Sequence, residues 1–177
     1  MNYIHPTALI YPGVVLGDNV YIGAYSVIGS PPEHPDLIDP RDFEGARVNI
    51  GDNVTIREFV TVHSGVEFAT TIREGSYIMA HSHIGHDAYV EEKCVIHTAA
   101  IIGGFSVVGK HSRVGLNATL HQHTHIPTGT MVGAQAFVKG KWNNIFRVLA
   151  GVPAKVIGEN WRLREKLEKP NNGEGEE

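Results

Sequence analysis

From Ile72 onward an Ile, Val or Leu stands at every sixth position: Ile72, Ile78, Ile84, Val90, Ile96, Ile102, Val108, Val114, Leu120, Ile126, Val132 and Val138. The position two residues earlier is small almost throughout, as at Ser76, Ser82, Ala88, Cys94, Ala100 and Ser106. Alternate residues of a strand project to opposite faces, so a small residue, any residue and then an aliphatic make a short strand with two inward side chains. Gly, Asn, Asp and His gather in the remaining positions, where the chain has to turn. Three such strands and three turns close a triangular coil. The repeat therefore predicts an all-β fold, a parallel β-helix whose coils stack about 4.8 Å apart.

The same step runs through Ile4, Ile10, Leu16, Ile22 and Ile28, with Ala8, Val14, Val20 and Ser26 in the small position. It breaks after Ser30, where Pro31, Pro32, Pro35 and Pro40 forbid a central strand. The insertion 30–47 carries Glu33, His34, Asp36, Asp39, Arg41 and Asp42, and is expected to be a loop that faces substrate. The step resumes at Ile50, Ile56 and Val62, then slips by four residues before Ile72. The expected organisation is a β-helix over 1–158, a short helix over 159–169 and a disordered polar tail over 170–177. Trp161, Leu163 and Leu167 would form the helix's apolar face. Tyr77, Tyr89, Val95, Val107 and Phe137 fall on outward positions, which predicts flat sides covered by other subunits of a homotrimer.

Composition narrows the function classes. The net charge of -4 leaves no basic footprint, so no nucleic-acid partner is expected. The single cysteine, Cys94, occupies a small inward position, which points to packing rather than thiol chemistry and to a reducing cytoplasm. There is no apolar run of transmembrane length and no signal-peptide pattern, so a cytoplasmic location without stable membrane insertion is expected.

Eleven histidines are unusual at this length, and their spacing matters. Hexads three apart share a side of the prism. With the four-residue slip allowed for, the hexads of Val62, Ile84, Ile102 and Leu120 stack. Their turns then place His63, Gly85 and His86, Gly103 and Gly104, and His121, Gln122 and His123 in one column. His81 and His83, on the strand before His86, are expected to join it. One histidine at a solvated turn needs no explanation; this many on one corner, beside Gly-Gly, point to a site. A neutral imidazole takes a proton from a hydroxyl or amine, and a bare glycine N–H stabilises an oxyanion. Base plus oxyanion donor is the minimum for acyl transfer without a covalent intermediate.

At these residues the chain resembles the UDP-N-acetylglucosamine acyltransferases of lipid A biosynthesis. The matching stretches are Arg47 to Gly65, Met79 to Asp87 with its His-Ile-Gly-His-Asp element, and His121-Gln122 followed by Met131 to Gly133. The resemblance covers about residues 1–138 and implies a left-handed coil and a homotrimer with sites between subunits. It implies His86 as general base, Asp87 as its orienting partner and Gly104 as oxyanion donor. His83, His121, Gln122, His63 and Asp36 would contact substrate, and Ala134 would limit the acyl chain to short or medium length. The implied reaction moves an acyl group from a thioester, on acyl-carrier protein or coenzyme A, to a hydroxyl or amine of a nucleotide-linked amino sugar. No cofactor is required beyond that co-substrate. The chain departs from the family in lacking a Lys after Asp36-Leu37, in carrying Phe105 where the family has His, and in having one short helix for a long helical domain.

Two other resemblances give alternatives. Ala150 to Ile157 is similar to the closing coil of hexapeptide acetyltransferases, implying an acetyl-CoA-dependent sugar acetyltransferase. The γ-class carbonic anhydrases share the fold and bind zinc through three histidines, and His63, His81 and His86 have the matching spacing.

Overall fold

Each hexad becomes a two-residue strand and a turn, as in Tyr77–Ile78, His83–Ile84 and Tyr89–Val90. The computed structural model, which describes residues 1–33, 43 and 45–168, closes these strands into three parallel sheets, the faces of a triangular prism. The first face holds Tyr77–Ile78, Val95–Ile96 and Arg113–Val114, and the second His83–Ile84, Ile101–Ile102 and Thr119–Leu120. The third holds Tyr89–Val90, Val107–Val108 and His125–Ile126. Tyr77 pairs with Val95, His83 with Ile101 and Tyr89 with Val107, each a step of 18 residues.

All twelve aliphatics from Ile72 to Val138 lie inside, at 0% or 1% exposure. The small position accepts serine because its hydroxyl is satisfied in place. Ser76, Ser82, Ser106 and Ser112 donate to the carbonyls of Glu91, His97, His121 and Pro127 at 2.9–3.0 Å. Cys94 lies in the same column of the core, and burial pushes its thiol up to about 12, which leaves it inert.

Both breaks in the repeat fall at one corner. Along the second face Val27 pairs with Thr61 and Thr61 with His83, steps of 34 and 22 residues, against 18 for His83 with Ile101. The third face shows the same 34 and 22 from Val14 to Val48 and from Val48 to Thr70. The extra residues therefore leave and rejoin the prism between these two faces. Residues 34–42 and 44 of the insertion, Asp36 among them, lie outside the described residues, as does the tail beyond Glu168.

At the C-terminal end Arg147–Gly151 continues the first face in parallel, and Ala154–Glu159 folds back on it antiparallel. The helix runs Trp161–Glu168 and is anchored by Asn160, whose side chain donates to Gly129 O at 2.9 Å. The expected apolar packing of this helix is only partly realised. Leu163 is half-buried, whereas Trp161 is 55% exposed and Leu167 41% exposed. Ion pairs from Arg164 to Glu159 and Glu168 hold the helix along its polar side instead, and Arg162 covers the Trp161 ring. Among the described residues no helix is long and apolar enough to cross a membrane.

Ile96→Ala, in the middle of the stack, is expected to cost about 3 kcal/mol in urea unfolding. Leu116→Ala, at a corner where Leu116 is 49% exposed, is expected to cost less than about 1 kcal/mol.

Candidate active site

The corner between the second and third faces collects chemistry from four successive coils. His63 ends the strand Thr61–His63 and His83 opens His83–Ile84. Gly85, His86 and Asp87 make the next turn, Gly103 and Gly104 the turn one coil on, and His121 and Gln122 the turn after that. Together with Glu33 these residues line a cleft of about 320 Å³, except Asp87, which lies behind His86.

His86 is held from two sides. Its Nδ1 lies 2.9 Å from Oδ2 of Asp87, whose side chain is fully buried. That carboxylate also accepts the backbone N–H groups of Val66, Glu67 and Phe68, at 2.8, 2.8 and 2.5 Å. Burial alone would raise the Asp87 carboxyl. The N–H groups of Phe68 and Val66, the His86 ring and the N–H of Glu67 outweigh it and hold the group below its ordinary range. An ionised carboxylate only accepts, so the proton of the neutral His86 ring sits on Nδ1 and Nε2 carries the lone pair. The ring lies over Gly104: a Cβ built there would stand 2.7 Å from Nε2. Among the described residues the Gly104 N–H donates no hydrogen bond, while its carbonyl accepts one from His123 at 2.8 Å. The edge of Phe105 meets the His86 ring with centroids 5.1 Å apart.

Two further cleft imidazoles, His63 and His83, are kept neutral. His63 and His83 meet edge to face at 4.6 Å, and His83 Nδ1 lies 2.8 Å from the Thr61 hydroxyl. Burial, with His83 beside it, pushes His63 down to about 4, and burial also lowers His83; the Glu33 carboxylate opposes both shifts. His121 is exposed at the cleft rim beside Phe137.

Not every expected residue arrives here. His81 adopts a left-handed turn, φ 62°, at the corner between the first and second faces and stacks on Phe59 at 4.9 Å. The strand His83–Ile84 separates it from the cleft, so the zinc set His63, His81 and His86 is not assembled in the chain. Among the described residues no three His, Cys, Asp or Glu are placed to hold a metal ion. His123 is at the right corner but turns outward and stacks on Phe105 at 4.9 Å. Ala134 follows Met131–Val132 and precedes Phe137–Val138, which puts it on the corner between the first and second faces, away from His86. From sequence Glu33 is expected only as part of a substrate-facing insertion, and the segment 64–68 is not singled out for the site, because both sit in interruptions of the repeat where no period assigns a side.

Residues 1–30 match the family described as bacterial transferase hexapeptide, six repeats. No curated protein sequence matches the chain. Among solved structures it is similar to a UDP-N-acetylglucosamine acyltransferase from Campylobacter jejuni, at 24% identity and TM-score 0.74, over 96% of this chain and 79% of that one. It is similar to the corresponding acyltransferase from Bacteroides fragilis at 22% identity and TM-score 0.78, over 96% and 66% of the two chains. A point variant of AntD, an N-acyltransferase from Bacillus cereus in complex with dTDP and coenzyme A, matches at 20% identity and TM-score 0.67, over 87% and 88%. At these identities the likeness establishes the fold, a left-handed parallel β-helix.

The state of His63 sets a pH dependence. Its folded value of about 4 lies below the ordinary 6.5, so the unfolded chain binds the extra proton between those values. Its contribution is complete above pH 6.5 and is lost as pH falls toward 4. Urea midpoints measured from pH 7 to pH 4 are expected to decline, and His63→Gln is expected to flatten part of that decline.

Proposed function

We propose that the chain is an acyltransferase, moving an acyl group from a thioester to a hydroxyl or amine of a nucleotide-linked amino sugar, with His86 as general base. The observation that carries this reading is the His86 ring, fixed through Nδ1 by a buried carboxylate and laid across Gly104. Nε2 accepts the proton of the acceptor group as its oxygen or nitrogen bonds to the thioester carbonyl carbon. The Gly104 N–H donates to the oxyanion that forms. As the tetrahedral intermediate collapses, the C–S bond breaks and the thiolate takes the proton back from His86, leaving as the thiol. A thiolate is a good leaving group, with a free-thiol pKa of about 8.5, so no second acid is needed. His83, His121, Gln122 and His63 contact the sugar and acyl groups, with Asp36 contributing from the insertion. The Glu33 carboxylate beside His63 and His83 favours an amine as acceptor.

Coenzyme A and a nucleotide-linked sugar are named for the similar structures, and the donor is a thioester of coenzyme A or of acyl-carrier protein. AntD in its complex with coenzyme A supports the soluble thioester, and with it the second reading, an acetyl-CoA-dependent sugar acetyltransferase. The working unit is a cytoplasmic homotrimer with clefts between subunits. Ala134, on a different corner from His86, reaches an acyl chain only in a neighbouring subunit's cleft.

Acetyl-CoA and acyl-carrier protein run side by side, against UDP- and dTDP-linked amino sugars, test the reaction and separate the donors. No transfer from either donor to any acceptor would sink it. His86→Ala is expected to lower kcat by roughly 10²–10⁴. Gly104→Ala, which displaces the His86 ring and screens the N–H, is expected to lower it by about 10². Light scattering is expected to give three times the 19.3 kDa chain mass.

A further inference from the structure

The turn that supports Asp87 is itself held by a residue that does not line the cleft. Arg47 grips the segment 64–70 at every level. Its backbone N–H donates to Ser64 Oγ at 2.9 Å, and its carbonyl accepts the N–H groups of Gly65 and Thr70 at 3.1 and 3.0 Å. Its guanidinium donates to the carbonyl of Val66 and, at 3.2 Å, to the carbonyl of Glu67. Gly65 is obligatory in this fold of the chain, since a Cβ there would lie 1.5 Å from Phe68 O.

The two carbonyls bound by the guanidinium belong to particular peptide groups. The Val66 carbonyl shares its peptide unit with the Glu67 N–H, and the Glu67 carbonyl with the Phe68 N–H. Those are the two N–H groups that donate to Oδ1 of Asp87. A cationic donor on a carbonyl polarises the peptide and strengthens the bond made by its N–H; here the guanidinium end of the chain is exposed and the Asp87 end is buried. Hydrogen bonds thus run without a break from the Arg47 guanidinium through two peptide groups to Asp87, and from Asp87 Oδ2 to His86 Nδ1.

The geometry points to Arg47 as a positioning residue for His86: it holds and polarises the 66–68 turn, which keeps the Asp87 carboxylate in place, which keeps the imidazole proton on Nδ1. The catalytic part of this inference rests on the acyl-transfer reading; the tautomer part does not. Without the guanidinium the backbone bonds of Arg47 to Ser64, Gly65 and Thr70 remain, so the turn persists while its grip on Asp87 weakens. The imidazole then samples the Nε2–H form, in which the atom facing Gly104 has no lone pair to offer.

The test reads the tautomer directly. Protein labelled with ¹⁵N in the imidazole rings is compared by long-range ¹H–¹⁵N correlation spectra at pH 7.5 for wild type, Arg47→Met and Arg47→Lys. The His86 signals are assigned by their loss in His86→Gln. Wild type is expected to show His86 as the Nδ1–H form. Arg47→Met is expected to raise the Nε2–H population about tenfold, the weight of one hydrogen bond involving a charged group, and Arg47→Lys to restore most of the wild-type ratio. An unchanged ratio in folded Arg47→Met overturns the inference, as does a shifted ratio that Arg47→Lys leaves uncorrected. If Arg47→Met does not fold, Arg47→Gln, which reaches one carbonyl rather than two, takes its place, and a wild-type ratio there also overturns it. Where transfer is measurable, Arg47→Met lowers kcat at unchanged KM, by the same fraction as the Nδ1–H population it loses. A tautomer shift without any acyl transfer fails the function and leaves the positioning role standing.

Discussion

Hydrogen bonding between coils at a constant offset is what the structure depends on. His83 bonds to the coil of Ile101 and Ile101 to the coil of Thr119, each 18 residues on, so equivalent positions stand directly above one another. The core follows, because the aliphatic of one coil meets the aliphatic of the next with no slack for water. The corners follow too. A residue type repeated at one turn position becomes a column, and groups distant in the chain, such as His63, His86 and His121, become neighbours along one edge.

Within that edge the most demanding group is Asp87. A carboxylate removed from water costs several kcal/mol unless its lone pairs are occupied. Three backbone N–H groups and one imidazole N–H occupy them. Consecutive N–H groups converging on one anion form a nest, and here the anion is a side chain of the same protein. The group is thus both charged and immobile, and the orientation of His86 is inherited from the backbone. His63 and His83, by contrast, are stripped of water and, among the described residues, have no carboxylate at bonding distance; both are pushed toward the uncharged form. An imidazole braced by an anion thus shares one cleft with two that burial keeps neutral, while His121 stands at its rim.

The parts of this arrangement visible in sequence are those that obey the period. His83, His86, Gly104 and His121 could be placed because each sits at a known distance from an inward aliphatic, and the four-residue slip before Ile72 could be counted. His81 could not be placed by the same counting. In a two-residue strand the residue ahead of the small position belongs to the previous corner, and a left-handed φ turns it along a different edge. Trp161 misled for another reason: helical periodicity reports an apolar stripe, not whether a surface exists to receive it. Glu33, Arg47 and the 64–68 turn lie where the period is suspended, so only coordinates reveal that a turn of this kind wraps a carboxylate.

The two interruptions share more than an address. Because both leave and re-enter between the second and third faces, every other pairing in the prism is blind to their length: Tyr21 finds Thr55 and Thr55 finds Tyr77 on the far side as if nothing intervened. Scaffold and cleft are in this sense separately adjustable. Residues can be added or removed at that edge, remodelling what is held there, without the rest of the solenoid having to repack.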